Sequence, residues 1–85
     1  MLFDFKVTQP VTMWMKNTPV SLDMLFITAN GTIVNIVSGT QPFSLEYITS
    51  DGPVRAVLEV LAGTAKILGI HKGDRVVHDI FGATE

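Results

Sequence analysis

The dipeptide Asn30-Gly31, set between residues 22–29 and residues 32–38, constrains the fold more than any other feature of the chain. Both flanking runs are rich in β-branched and aromatic residues, which suit a pleated, half-buried surface. An Asn-Gly pair between such runs signals a two-residue type I′ turn, whose two central residues take positive φ. The chain is therefore expected to double back here as an antiparallel hairpin, and the remaining segments must pack around it.

Upstream, residues 2–7 read as a strand end or a loop laid on the core. After Pro10, residues 11–15 read as a strand, with Trp14 and Lys16 on one face and Met13 and Met15 on the other. Asn17-Thr18-Pro19 breaks that strand, since Pro19 drives Thr18 toward extended geometry and Asn17 accepts turn conformations. Downstream of the hairpin, residues 39–53 carry Gly39, Pro42, Gly52 and Pro53 and read as a long surface loop. Phe43, Leu45 and Tyr47 alternate within it, which also suits a short edge strand. A loop of this length in so small a domain is often functional or a lid.

Residues 55–61 form a third strand, with Ala56, Leu58 and Val60 on an apolar face and Arg55, Val57 and Glu59 on the other. Gly63-Thr64 then caps one helical turn over residues 65–68, stopped by Gly69 and seated on the sheet by Leu61, Ala65 and Leu68. Gly73-Asp74 turns the chain into a last strand, residues 75–81. The expectation is one domain over residues 1–85, α+β but mainly antiparallel β, a small β-barrel-like unit with one short helix.

Composition removes several classes of function. Six basic residues against eight acidic ones give a net charge of −2, with no basic cluster for nucleic acid. No apolar run approaches the roughly 20 residues that cross a bilayer. The absence of Cys excludes disulfides, thiol catalysis and zinc–thiolate sites. His71 and His78 share no metal-ligand spacing with an acid, and no Gly-rich phosphate loop or nucleophile elbow is present. No cofactor is called for. A hydrophobic fraction of 47% against 16% charged marks a core-rich chain, with apolar surface to spare for a partner. Met1-Leu2-Phe3 runs into Asp4 without a signal peptide and reads as mid-domain chain.

The candidate chemistry gathers at the corner after the first strand. Asp23 lies in an apolar run, where a carboxylate is costly unless it is hydrogen-bonded or paired. It either accepts backbone N–H groups from the corner and holds it shut, pairs with Lys16 beside Trp14, or stands exposed at a strand end. Trp14, the sole Trp, is a core residue or a half-exposed stacking platform for a sugar or aromatic ligand. Glu59 binds the Gly63-Thr64 amides, pairs with Arg55 or Arg75, or is a solvated outer-face residue. Asp23 with Glu59 also has the makings of a general acid/base pair, if the fold brings them together. Trp14, Lys16, Asn17, Asp23 and Glu59 are therefore the candidate ligand-binding residues.

Five motifs carry a resemblance. They are Met1-Leu2-Phe3-Asp4-Phe5, Trp14-Met15-Lys16-Asn17-Thr18, Leu22-Asp23-Met24-Leu25-Phe26-Ile27, Leu58-Glu59-Val60 with Ala62-Gly63, and Gly69-Ile70 with Gly73-Asp74. In this order and spanning nearly the whole chain, they resemble the bacterial and archaeal domain-of-unknown-function family 192. The Gly73-Asp74 turn into a β-branched strand also resembles the GD-box of cradle-loop β-barrels. The family resemblance implies a compact β-barrel-like domain, no assigned reaction, and members that often carry export signals. It implies further chain before the Met1-Leu2-Phe3 motif, with a first strand, so that this sequence looks N-terminally truncated. The leading expectation is a non-enzymatic binding or accessory domain of the bacterial envelope, periplasmic or exported, with a small molecule or a protein as partner. The alternatives are a hydrolase of envelope sugars or peptides using Asp23, Glu59 and Lys16, and a protein-interaction subunit.

Overall fold

The computed structural model describes residues 1–82. Six strands are present among them: β1 (Leu2–Gln9), β2 (Thr12–Met13), β3 (Leu22–Ile27), β4 (Ile33–Val37), β5 (Ile48–Thr49) and β6 (Val54–Leu61). One helical turn, α1 (Thr64–Ile67), and a 3₁₀ turn, Asp79–Phe81, complete the described chain. Four strands make an antiparallel sheet in the order β1-β6-β3-β4, and β2 pairs with β5 in a separate two-stranded ribbon. The fold is mainly antiparallel β with one short helix, as the sequence indicates, and the four-stranded sheet is open, with β1 and β4 as its edges.

β3 is the spine. It is flanked by β6 and β4, and all five residues from Asp23 to Ile27 are buried. A strand covered on both faces reads as a continuous apolar run, which is why Leu22–Ile27 shows no hydrophobic alternation. On one face Met24, Phe26 and Val57 pack with Val11, Met15 and Val54 beneath the β2–β5 ribbon. On the other, Leu25, Ile27, Ile33 and Ala56 pack with Phe81, supported by Ile70, Val76 and Ile80.

The hairpin forms where expected, with a different turn. Gly31 N–H donates to the Thr28 carbonyl at 3.0 Å, and Thr28 N–H donates to the Thr32 carbonyl at 2.9 Å. Gly31 has φ 92°, whereas Asn30 is not among the residues of positive φ. The type I′ turn is therefore replaced by a three-residue connection whose last residue alone is left-handed. Asn30 serves through its side chain, its Oδ1 accepting from Thr32 N–H at 3.1 Å and from the Thr28 hydroxyl. The extra residue is absorbed by a shift in the β3–β4 register between Phe26 and Ile27.

Other expectations are corrected by pairing. Residues 2–7 belong to the full strand β1, interrupted at Lys6 (φ 69°), where the register to β6 shifts. The strand expected over residues 11–15 is only Thr12–Met13, and residues 43–47 form no strand. The last strand, residues 75–81, is absent: Arg75 makes an isolated bridge to Thr32, and the chain then enters the 3₁₀ turn that buries Phe81. β-branched residues alone do not make a strand without a neighbouring ladder. Leu61 and Leu68 are exposed, so Ala65 alone seats α1. Gly73 does take positive φ (95°), and the Asp74 carboxylate accepts the His71 N–H at 2.7 Å, as the Gly-Asp turn requires.

Gly31 is a demanding position. A Cβ there would lie 2.5 Å from the Val76 carbonyl oxygen, and the φ is strained for any other residue. Gly31→Ala should cost at least about 1 kcal/mol from the left-handed backbone, with the backbone clash added to it. Asn30→Ala should cost only about 0.5–1.5 kcal/mol, the worth of a hydrogen bond. Denaturation midpoints measure both; equal losses would mean that both positions, not Gly31 alone, hold the turn.

Candidate functional site

Asp23 is 1% exposed and makes no ion pair among the described residues. Its Oδ1 accepts from Gly39 N–H at 3.0 Å, and its Oδ2 accepts from Gly63 N–H at 3.0 Å and Ala65 N–H at 3.1 Å. The chain thus spends a buried carboxylate as the N-cap of α1, supplied from β3 because Gly63 has no side chain to cap with. Of the three readings, acceptance of backbone N–H groups is the observed one. The donors are the chain leaving β4 and the β6–α1 junction rather than the Asn17 corner. Lys16 is elsewhere.

The corner itself is a turn closed by Thr18 N–H donating to the Met15 carbonyl at 2.9 Å, with Asn17 left-handed at φ 64°. Met15 is fully buried while Trp14 and Lys16 face outward, as strand alternation requires. Thr40 fixes the corner from below: its hydroxyl accepts from Leu22 N–H at 2.9 Å and donates to Met15 Sδ at 3.2 Å.

Trp14 is 43% exposed, and it is not alone. The register Thr12↔Thr49, Met13↔Ile48, continued by one residue, sets Trp14 opposite Tyr47. Their ring centroids are 5.9 Å apart with planes inclined at 34°, and Lys16 Nζ lies 5.2 Å from the Trp14 centroid. The result is a surface platform of two aromatic rings with a cation beside it. Tyr47 is the member that sequence reasoning missed as a site residue. Its signal was the alternation of Phe43, Leu45 and Tyr47, but no local pattern reveals which strand a two-residue β5 will join.

The segment carrying Tyr47 is strapped down. Thr40 N–H donates to the Leu22 carbonyl, Phe43 N–H to Thr18, Ser50 N–H to Val11, and Asp51 N–H to Asn35 Oδ1. These bonds tie residues 39–53 to β4 and to the chain on either side of the corner, and Tyr47, one of these residues, forms half of the platform.

Glu59 does not join the site. β3 and β6 pair Asp23 with Val60 and Met24 with Glu59, and directly opposed residues share a face. Asp23 and Glu59 therefore project from opposite faces of the sheet and form no acid/base pair. Gly63 gives its amide to Asp23, Arg55 Nε donates to Asp4 Oδ1 at 2.7 Å, and Arg75 Nε donates to the Asn30 carbonyl, so these three expected partners of Glu59 are engaged elsewhere. Burial pushes the Glu59 carboxyl above its ordinary value, an effect the N-terminal ammonium partly opposes. The Arg55 guanidinium and the Lys6 N–H hold Asp4 well below the usual carboxylate range. No group of three or more His, Asp or Glu side chains placed to hold a metal occurs among the described residues.

Two tests follow from these carboxylates. Asp23→Asn sets an amide N–H₂ against backbone N–H donors and should cost about 1.5–3 kcal/mol, the worth of one charge-assisted hydrogen bond. Urea unfolding reads it; a change below about 0.5 kcal/mol would show that the clasp is not holding the fold. For Glu59 the raised pKa means that the folded state binds its proton more tightly than the unfolded state. Stability from this group is full below the ordinary carboxylate pKa and falls as pH rises through the raised value. Glu59→Gln should accordingly stabilise the protein at neutral pH, with the gain disappearing at acid pH. A pH-independent gain would exclude titration as its source.

A family model described as Uncharacterized ACR, domain-of-unknown-function family 192, matches residues 1–78. A solved structure from Sinorhizobium meliloti 1021, provisionally described as a transcription regulator, is 56% identical with a TM-score of 0.86, covering 88% of this chain and 58% of that one. A protein of unknown function from Novosphingobium aromaticivorans DSM 12444 is 35% identical with a TM-score of 0.85, covering 88% of this chain and 54% of its own. The chain therefore spans a little over half the length of these two structures. No curated protein matches it. The family model covers both clasped ends of Asp23 and the Trp14 corner, and on that match the chain belongs to domain-of-unknown-function family 192.

Proposed function

We propose that this domain binds its ligand without transforming it, and that the contact surface is the Trp14–Tyr47 platform flanked by Lys16. The observation that carries this reading is the exposed, tilted aromatic pair with a cation beside the indole. Tyr47 is 73% and Trp14 43% exposed, so both rings offer open surface to a ligand. The face of a pyranose ring is a flat array of C–H bonds that packs on such rings. A carboxylate substituent on that sugar meets the ammonium of Lys16 in a charge-assisted contact. The ligand class is thus an acidic sugar, and Asn17, left-handed at the same corner, adds an amide able to bond sugar hydroxyls. We place this activity in the bacterial envelope, where such sugars occur and where the family resemblance points.

Binding is favoured over turnover because both oxygens of Asp23 are occupied by backbone N–H groups and Glu59 lies on the opposite sheet face. The regulator description of the Sinorhizobium protein is not extended to this chain, whose net charge is −2. A second reading, a protein interface, is favoured by Phe43 and Leu45, which are 62% and 67% exposed in the segment that carries Tyr47.

Since Trp14 is the sole Trp, its fluorescence reports the site directly. Galacturonic acid oligomers should shift its emission, and neutral galactose oligomers should bind more weakly. Lys16→Ala should weaken the acidic ligand by about tenfold, roughly 1.4 kcal/mol, and Tyr47→Ala should abolish the response. No emission change with either sugar series, in a chain that melts cooperatively, would overturn the sugar reading. Concentration-dependent sedimentation, lost in Phe43→Ser with Leu45→Ser, would favour the interface instead. Recovery of the native protein only from the cytoplasmic fraction would remove the envelope assignment.

A further inference from the structure

We infer that the opposite face of the sheet carries a second, independent site, one that takes an alkyl carboxylate. Two clefts meet there at Ile70. The larger, about 500 Å³, has an apolar floor of Leu25, Ile33 and Leu58. The smaller, about 270 Å³, is lined by Ser38, Lys66, His71 and Lys72 beside the apolar Ile36. Volumes of this order, with mostly apolar walls and a few polar groups at one end, are those of small-molecule sites.

Charge placement says which molecule fits. The chain holds six Lys and Arg residues. Lys6 and Arg55 are taken by Asp4, and Lys16 lies against Trp14. The other three, Lys66, Lys72 and Arg75, all line these two clefts. Asp74 is the acid among the lining residues, and its carboxylate is engaged by the His71 N–H at 2.7 Å. The approach of Lys72 to Asp51 is 3.9 Å with both side chains 72% exposed, a surface contact of little worth. In a chain of net charge −2, this face is locally positive over an apolar floor. An aliphatic tail lies in the larger cleft along Leu25, Ile33 and Leu58. The carboxylate reaches past Ile70 to Lys66, Lys72 and His71.

This site shares no lining residue with the Trp14 platform and lies on the other side of the sheet, so the two stand or fall separately. The test is a titration of the isotopically labelled chain, followed by amide chemical shifts, with octanoate, octanol and octyltrimethylammonium as probes. Octanoate should perturb the amides of Leu58, Ile70 and Lys72 while sparing Trp14 and Tyr47, and should weaken as salt is raised. Lys66→Glu with Lys72→Glu should reduce octanoate affinity at least tenfold and leave octanol binding unchanged. Both lysines are exposed, so the double variant should melt with the parent chain, which separates lost binding from lost folding. Octanol or the ammonium amphiphile binding as well as octanoate, affinity unchanged in the double variant, or shifts confined to the Trp14 face would each overturn the assignment.

Discussion

Three backbone N–H groups converge on the Asp23 carboxylate, one from the chain leaving β4 and two from the junction of β6 with α1. A buried carboxylate without a cation is tolerable only when hydrogen-bond donors replace its hydration, and these three do so. The cost of getting this wrong fixes the register. A one-residue slip of β3 would move Asp23 to the other face, leaving its charge and three amides unsatisfied. The two ends brought together by this clasp, Gly39 and Gly63, set where the long segment after β4 starts and where α1 sits. The walls of both sheet faces depend on it.

On one face, the β2–β5 ribbon is too short to be stable alone, and it persists because Val11, Met15 and Ile48 pack on Met24, Phe26 and Val57. Because Met15 points inward, Trp14 must point out, and the ribbon's register presents it to Tyr47. The platform is thus a by-product of core packing, displayed on a rigid support. On the other face the covering chain is sparser. Ile70, Val76, Ile80 and Phe81 cover part of the sheet and leave the clefts between them, with lysines at the rim.

Much of the candidate site was legible locally. Alternation over Met13–Lys16 gave the inward and outward residues, and Asn17 was marked as a turn former; both hold. The carboxylate of Asp23 was legible as a group needing backbone donors, but the donors lie 16, 40 and 42 residues away in sequence. Tyr47 and the cationic rim were missed for the same reason. Each is defined by which distant segment lies opposite, and neither two-residue strands nor a pairless β-branched run announces its partner. The Asn-Gly pair marks Gly31 for the positive φ that it takes, whereas Asn30 holds the turn through its side chain and not through a left-handed backbone.

By itself the sequence determined an antiparallel hairpin, a mainly β chain with one short helix, the family, and the facing of Met13 to Lys16, of Asp23 with Leu25 and Ile27, and of Arg55 to Val60. These follow from interactions within a few residues: pleat alternation, turn stereochemistry and the ordering of motifs. Only the tertiary structure decided that Asp23 and Glu59 face apart, that Trp14 meets Tyr47, and that the last β-branched run forms no strand. Those outcomes depend on which ladders close over long sequence separations, where loop closure, burial and the satisfaction of every buried amide are settled together. A one-dimensional pattern states what each residue requires. The packed sheet determines which neighbour supplies it.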